Sequence, residues 1–447
     1  MSTRAESVAK FRQLTAGLSA RAPAPSGSER ERVDRAKAVF AKRLNAGMAM
    51  NLECCLRCGM CAEACHFYES TQEAKYAPIH KVAPLRRFYL RELSPLRLIN
   101  RLFVRDTNLK ELESWQELVF DACTECGRCD MICPMGIQIS PMIGVMREGL
   151  TEAGLAPAEL AAAAAEQVDD GKVLGAGAEQ LNAVVSQLRG RGIDIPLDAE
   201  RADVMVLTTA LELELWPDAL AAMAKVINAT GANWTLRSAA FEASAFEYSS
   251  GNERARRAAT KRIVDEASAC GAKTLIVPEC GHAYPALRWK AANDLGRPLP
   301  FDVLAISEFI GREIDVGRLK LKKSGNGASV TYHDPCKIGR LGGVIDEPRK
   351  AFDAMGVELT EMESHGKTQY CCGGGGGVML IERAAPLRKR AFEIKMRQVD
   401  DTGADTVVTS CESCRMNFNI GAENANWQKE VRSLVEMVAD NLAGEGS

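Results

Sequence analysis

Two runs of four cysteines constrain the first third of this chain more than any other feature. Each run has the spacing C-x-x-C-x-x-C-x-x-x-C, and only the second is followed by proline, Pro134. The runs consist of Cys55, Cys58, Cys61 and Cys65, and of Cys123, Cys126, Cys129 and Cys133. This spacing lets three thiolates wrap one face of a cubane 4Fe–4S cluster while the fourth cysteine leaves on a helix pointing elsewhere. The runs therefore predict two cubane clusters.

The fourth cysteine of each run is expected to bind the other run's cluster, as is usual in two-cluster proteins. The predicted ligand sets are Cys55, Cys58, Cys61 and Cys133 for one cubane, and Cys123, Cys126, Cys129 and Cys65 for the other. Structural zinc is the alternative, but zinc sites usually pair two C-x-x-C knuckles. His66 replaces the proline of the other run, either as a turn residue or as a ligand. Cys54 has no partner at ligand spacing and is predicted to pack as a small apolar residue.

A different cysteine pattern lies near the C-terminus. It has a single cysteine, a Cys-Cys pair and a closing C-x-x-C, formed by Cys336, Cys371, Cys372, Cys411 and Cys414. Adjacent cysteines do not easily share one ordinary metal tetrahedron, so the pattern favours a larger or unusual iron–sulfur cluster. Glycines occupy 373–377, and Gly373, Gly374 and Gly375 are expected to let the backbone approach inorganic sulfide. A thioredoxin-type dithiol at the closing pair would leave the other three cysteines unexplained.

Composition narrows the class of protein. The chain has 447 residues and a formal charge of −3, so nothing points to a nucleic-acid partner. It begins without an apolar run that could serve as a signal peptide, and we find no apolar stretch of about 18 residues. We therefore expect a cytoplasmic protein, or one peripheral on the inner face of the cytoplasmic membrane. In that reducing compartment, sixteen cysteines are better explained by metal or redox chemistry than by disulfides.

The chain divides into five predicted segments of an α+β multidomain protein. A polar helical arm covers 1–45, a mostly helical region with both cysteine runs covers 46–150, and a surface helix and linker cover 151–201. The segment GAKTLIV at 271–277 recurs as GADTVVT at 403–409, each after a charged helical stretch. With further strand candidates at 203–208 and 329–333, this repeat predicts two α/β units, at 202–315 and 326–440.

The cysteine motifs resemble those of the family with the cysteine-rich CCG domain of heterodisulfide reductases. The segments that carry the resemblance are YHDPCKIGR at 332–340, YCCGG at 370–374 and SCESC at 410–414. With the two runs in front, the order of parts is similar to the D-type subunit, and particularly to the Dsr complex K subunit and the Hmc and Tmc subunits. The resemblance implies an α-helical two-cluster ferredoxin domain followed by two α/β CCG-type units, the first degenerate.

The resemblance also implies roles for individual residues. All five C-terminal cysteines would hold a noncubane 4Fe–4S cluster, at which a disulfide is cleaved in two one-electron steps. His333 would donate a proton or hydrogen bond nearby, or else cap a turn beside Asp334. In the first unit only the segment PECGH at 278–282 remains, so a second noncubane cluster is not expected. Cys280 and His282 either lie at the substrate mouth or are remnants of a lost site.

Three functions follow from these expectations. The first is a catalytic subunit of a membrane redox complex, between a quinone-linked cytochrome b partner and a DsrC-like sulfur-carrier protein or a small disulfide. The second is an electron-relay iron–sulfur subunit of a flavin-dependent dehydrogenase, of the glycolate oxidase or glycerol-3-phosphate dehydrogenase type. The third is a binding and relay scaffold without the C-terminal cluster.

Between the two runs, the segment 75–110 holds nine Lys or Arg and only two acidic residues. This basic segment is either a docking surface or a solvated helical face.

Overall fold

The computed structural model describes residues 3–169, 171–323 and 329–443. Eleven helices occupy its N-terminal part, and side-chain caps begin several of them, such as the reciprocal hydrogen bonds of Ser28 and Glu31. These helices, α1 to α11, are Arg4–Thr15, Glu29–Arg43, Ala46–Glu53, Met60–Glu63, His66–Thr71, Pro78–Lys81, Ala83–Glu92, Arg97–Phe103, Leu109–Gln116, Arg128–Ile132 and Ile139–Glu152. Among the described residues, no helix is long and apolar enough to cross a membrane.

The N-terminal arm is helical, as predicted, and packs firmly on the rest of the protein. Phe40 of α2 is fully buried against α11, where a Cβ atom added to Gly149 would lie 2.1 Å from its ring. Only glycine permits this approach of the two helices. Arg4 of α1 donates to the Trp427 carbonyl at 2.6 Å, which joins the arm to the C-terminal unit.

The segment 151–201 differs from the expected surface helix. It contains α12, Ala158–Asp169, and α13, Ala178–Gly190. Ala162, Ala163 and Ala164 are buried, because their small side chains let α12 pack against the first α/β unit. The alanine run therefore forms part of the core, and the expectation of a surface helix was wrong.

Two parallel sheets form the α/β units. The first unit consists of β1 Val204–Val206, α14 Ala210–Leu215, α15 Pro217–Ala229, β2 Trp234–Thr235, α16 Phe246–Ser250, α17 Glu253–Ala269, β3 Thr274–Val277, α18 Ala283–Pro285, α19 Ala291–Leu295, β4 Asp302–Ala305 and α20 Ile306–Asp315. The second consists of β5 Val330–His333, α21 Asp346–Met355, α22 Ala385–Asp400, β6 Thr406–Thr409, α23 Glu412–Ala425, β7 Glu430–Ser433 and α24 Leu434–Asp440. The strand orders are β2-β1-β3-β4 and β5-β6-β7.

The structure confirms the α+β fold class and the four predicted strands. The two units repeat each other in register, since Val204 pairs with Thr274 as Val330 pairs with Thr406. The strands β2, β4 and β7 were not predicted from the sequence. β2 has only two residues and β7 only one buried residue, so neither forms a buried apolar run of strand length.

Arg147 of α11 joins the ferredoxin region to both α/β units. Its side chain is 1% exposed and donates to five acceptors in three parts of the chain. The acceptors are the carbonyl groups of Val119 at 2.9 Å, Cys123 at 2.6 Å, Ser249 at 2.7 Å and Gly376 at 2.8 Å, and the Glu125 carboxylate at 3.1 Å. The planar guanidinium can satisfy this many acceptors at once, which a lysine could not.

Replacing Arg147 with methionine should destabilise the protein strongly. The change leaves the Glu125 carboxylate and several carbonyls without their buried donor, which typically costs about 3–5 kcal/mol. Chemical denaturation under anaerobic conditions measures this loss. Arg191→Met is the control, because Arg191 forms a half-exposed pair with Asp218, worth at most about 1 kcal/mol. Equal effects of the two substitutions would contradict the central role of Arg147.

Candidate metal centres

The carboxyl ends of two neighbouring strands bring the C-terminal cysteines together. Strand β5 leads into Cys336, and β6 leads into Cys411 at the start of α23, with Cys414 one turn further. In a parallel sheet, loops after adjacent strands meet at one edge, which is where such folds place their sites. The loop between α21 and α22 adds Cys371 and Cys372. All five, here called the five-cysteine site, are buried, with exposures of 1–5%.

The five sulfur atoms lie close enough to interact directly. Cys372 Sγ is 3.3 Å from Cys414 Sγ, Cys371 contacts both Cys336 and Cys372, and Cys411 contacts Cys414. Hydrogen bonds from Cys371 and then Cys414 hold the pKa of Cys372 well below that of a free thiol. Thiolates are the ligands that iron–sulfur clusters use, so this convergent set fits such a cluster.

The glycine run after Cys372 packs so closely against its neighbours that there is little room for side chains. The N–H groups of Gly373 and Gly374 point at Cys371 Sγ and Cys372 Sγ, at 3.4 and 3.5 Å. A Cβ atom on Gly374 would lie 2.7 Å from Asn417, and Gly373 has a φ of +94°. The backbone can therefore donate to the cysteine sulfur atoms at Gly373 and Gly374, and its approach to inorganic sulfide stays a prediction. Gly375 lies nearby, facing His282.

His333 is placed beside the five-cysteine site. It is the last residue of β5 rather than a helix cap, and one of its ring nitrogens lies within 4.8 Å of Cys372 Sγ and Cys414 Sγ. Its ring packs edge-on against Phe418. Burial lowers the pKa of His333, so the imidazole is neutral near pH 7. The position suits a hydrogen-bond donor to Cys372 and disfavours the cap interpretation.

The remnant segment of the first unit packs directly against the five-cysteine site. A Cβ atom on Gly281 would lie 3.3 Å from Cys411 Sγ, and the Glu412 N–H donates to the Glu279 carbonyl at 2.7 Å. His282 Nε2 accepts from the Gly376 N–H at 2.8 Å, and burial lowers the pKa of His282 to about 3. His282 thus holds the glycine run in place. Cys280 is also buried, and burial raises its pKa well above that of a free thiol.

The structure separates the N-terminal cysteines into the two predicted sets. One small cavity is lined by the first group, Cys55, Cys58, Cys61 and Cys133. Another is lined by the second group, Cys65, Cys123, Cys126 and Cys129. His66 also lines the second cavity, beside Cys126, and is buried. Cys54 is exposed, so the prediction that it packs in the interior was wrong.

The second group lies next to the five-cysteine site. Cys126 is in hydrogen-bonding contact with Cys371 through their sulfur atoms. Thr124, two residues earlier, donates from its hydroxyl to Cys371 Sγ at 3.4 Å. Arg340 completes the junction, since it donates to the Cys126 carbonyl at 2.6 Å. Clusters held by these two cysteine sets would therefore be neighbours, whereas the first group faces the surface with Cys58 exposed.

Buried lysines compensate the negative charge of the thiolates. Lys81 is 2% exposed, and its ammonium donates to Cys65 Sγ at 3.4 Å and to the Ala122 carbonyl. Burial alone would lower the pKa of Lys81, but the thiolates of the second group outweigh it and raise the pKa. Lys395 is fully buried near Cys371 and Cys372, and burial lowers its pKa to about 8. Sequence reasoning missed both lysines, since nothing in their local pattern marks them as buried.

Comparison with known proteins agrees with this geometry. Residues 54–138 match the 4Fe-4S dicluster domain, and residues 330–419 match the cysteine-rich CCG domain. Over nearly its whole length the chain is similar to the iron–sulfur subunits of heterodisulfide reductases. It is 29% identical to the D-type subunit of the dihydromethanophenazine:CoB–CoM heterodisulfide reductase of Methanosarcina mazei, over 91% of this chain and 98% of that protein.

Two further relatives come from other enzymes. Iron–sulfur subunit 2 of the Hdr-like menaquinol oxidoreductase of Archaeoglobus fulgidus is 26% identical, over 89% of this chain and 81% of that protein. The EtfAB:quinone oxidoreductase of Syntrophomonas wolfei is 24% identical, over 86% of this chain and 57% of that protein. The heterodisulfide-reductase-like assignment expected from the sequence is thereby confirmed. Its place nearest the Dsr K-like branch stays a prediction.

Replacing Lys81 with methionine should lower the midpoint potential of the cluster bound by the second group. The buried cation stabilises the reduced, more negative state, and the apolar methionine of similar length cannot. An EPR-monitored redox titration measures the shift. Lys75→Met is the control, since Lys75 is partly exposed and paired with Glu117. Unchanged potentials in Lys81→Met, or an equal shift in the control, would show that the buried charge does not set the potential.

Proposed function

We propose that this chain is the iron–sulfur subunit of a membrane-associated respiratory complex that acts on a disulfide. It passes electrons between a quinone-linked cytochrome b partner and either a DsrC-like sulfur-carrier protein or a small disulfide. The observation that carries the proposal is the contact between Cys126 and Cys371, because it places the second cysteine group directly against the five-cysteine site. The relative from Methanosarcina mazei, named a heterodisulfide reductase, supports the sulfur substrate.

The three cysteine groups differ in burial, from the first group at the surface to the five-cysteine site in the interior. Cys58 of the first group is exposed, and it is surrounded by partly exposed apolar side chains, including Leu56 and Met60. The second group lies deeper, and the five-cysteine site is the most buried of the three. When bound, two cubane clusters and one noncubane cluster supply one-electron transfer and the centre for sulfur chemistry. The partner that exchanges electrons would accordingly dock over the first group.

Cleavage of a disulfide into two thiols consumes two electrons and two protons. In this direction the cytochrome b partner is the reductant. In the reverse direction two thiols are oxidised to a disulfide, and two electrons and two protons are released. His333 lies beside Cys372, where its imidazole can donate a hydrogen bond. Cys280 and His282 belong to the segment that packs directly on the site, against Cys411 and Gly376. These three side chains are the chain's own contribution around the reacting sulfur.

One alternative has a specific observation in its favour. The similarity to an EtfAB:quinone oxidoreductase supports a relay of electrons from a flavoprotein, in which no disulfide reacts. The complete five-cysteine site weighs against this second function, because a relay needs no fifth thiolate. The identity of the protein that copurifies from membranes, a cytochrome b or a flavoprotein, separates the two.

Iron analysis and EPR test the proposal. The anaerobically purified protein should contain about twelve irons per chain, against about eight for two cubanes alone. Adding a reduced DsrC-like protein or a small thiol to the oxidised protein should change the EPR signal of the third cluster. A signal that responds to neither compound would rule out the disulfide reaction.

The variant Cys372→Ser should lose the third cluster while both cubanes stay reducible. Its expected iron content is about eight per chain. Cys270→Ser is the matched control, because Cys270 is buried far along the chain from either motif and donates to the Ala267 carbonyl. The control should keep the full iron content and signal. Loss of cubane reduction in Cys372→Ser would contradict the assignment of Cys372 to a separate centre.

A further inference from the structure

Helix α8 exposes an unusual set of large apolar side chains. Leu98, Ile99, Leu102 and Phe103 are 73%, 56%, 79% and 81% exposed, and Leu96 just before the helix is 62% exposed. No residue of α8 is buried. Such a concentration on one short helix marks a surface that another body covers, since scattered single residues would need no explanation.

The apolar side chains point away from the protein. At 100° per residue, Leu98, Ile99, Leu102 and Phe103 fall within an arc of about 140°. Asn100 lies outside that arc and faces inward, where its side-chain amide donates to the Leu90 carbonyl at 2.8 Å and to Ser94 Oγ at 3.0 Å. The helix is thus anchored by its polar side and presents its apolar side outward.

Cations flank the apolar arc. Arg97 and Arg105 are exposed and form no ion pair with the described residues, while Arg101 pairs with Glu92 at 2.6 Å. Asp106, the other acidic residue of 75–110, already pairs with Lys37 at 2.5 Å. Both acidic residues of this stretch are therefore paired. Apolar Phe and Leu side chains flanked by Arg are typical of helices that lie in the interface of an anionic bilayer.

We propose that α8, together with Leu96, inserts into the headgroup and acyl boundary of an anionic lipid bilayer. Charge complementarity favours lipid over a protein groove, because Arg97 and Arg105 have no acidic partner among the described residues and would meet lipid phosphates. This proposal rests on the peripheral membrane location suggested above. It does not depend on the disulfide reaction, and vesicle binding can therefore fail or succeed independently of the EPR test.

Flotation of the purified full-length protein with vesicles tests the proposal. The protein should float with vesicles of equal parts phosphatidylcholine and phosphatidylglycerol, and much less with pure phosphatidylcholine. The double variant Leu102→Ser with Phe103→Ser should bind the anionic vesicles at least about tenfold more weakly, since it removes two inserted side chains. Arg97→Gln with Arg105→Gln should weaken binding to anionic vesicles and reduce its sensitivity to salt.

Matched control variants distinguish a loss of insertion by α8 from a general loss of surface hydrophobicity or positive charge. Val316→Ser removes an apolar side chain that is 59% exposed in the first α/β unit, and it should bind as the wild type does. Lys389→Gln with Arg390→Gln removes the same charge from an exposed site on α22 and should also bind normally. Unchanged iron content and circular dichroism confirm that each variant is folded.

Three results would overturn the proposal. They are failure of the wild-type protein to bind protein-free anionic vesicles, equal binding to both vesicle types, and unchanged binding of the Leu102 and Phe103 variant. If the wild type fails to float, but the same variant loses a copurifying membrane subunit, α8 is covered by protein and the lipid proposal is wrong.

Discussion

The buried guanidinium of Arg147 holds the three regions of the protein in their arrangement. A charge taken out of water is tolerated only when nearly all of its hydrogen-bonding capacity is used. Its acceptors belong to the ferredoxin region, to α16 at Ser249 and to the glycine run at Gly376. Satisfying all of them fixes the regions relative to one another. The contact between Cys126 and Cys371 is a consequence of that fixed arrangement.

Buried lysines and buried carboxyl groups both lie near the sulfur-rich interior. Lys81 and Lys395 place cations near the thiolates, and burial favours the neutral form of carboxyl groups in the same region. Burial raises the pKa of Glu279 to about 8, and burial raises the pKa of Glu212 to about 7. Cationic lysines, together with carboxyl groups whose charged form is disfavoured, lower the cost of adding electrons to a centre that is already negative.

The first α/β unit has kept its fold while lacking the cysteines of the second. Glu279 occupies the repeat position of Cys411, and its carboxyl group accepts from the Val435 N–H of the second unit at 3.2 Å. Thr209, beyond β1, donates to Glu412 at 2.5 Å. At Glu279, a hydrogen bond between the two units thus stands where the second unit has a cysteine. The first unit therefore forms part of the wall of the five-cysteine site, through the segment that packs against Cys411.

Local sequence patterns were enough to identify the cysteine groups, the α+β class and the repeat. Ligand spacing and buried strands both depend on residues that are close together in the sequence. Such patterns could not place Arg147, Lys81 or Lys395 in the interior, since charged residues in helices ordinarily face solvent. Nor did they predict the burial of the alanine run of α12 or the strands β2, β4 and β7, of which β2 has only two residues and β7 only one buried residue. The meeting of Cys126 with Cys371, and the support of Gly376 by His282, emerged only from the folded structure. Those contacts join residues more than ninety positions apart, and packing of whole units, rather than any local preference, brings them together.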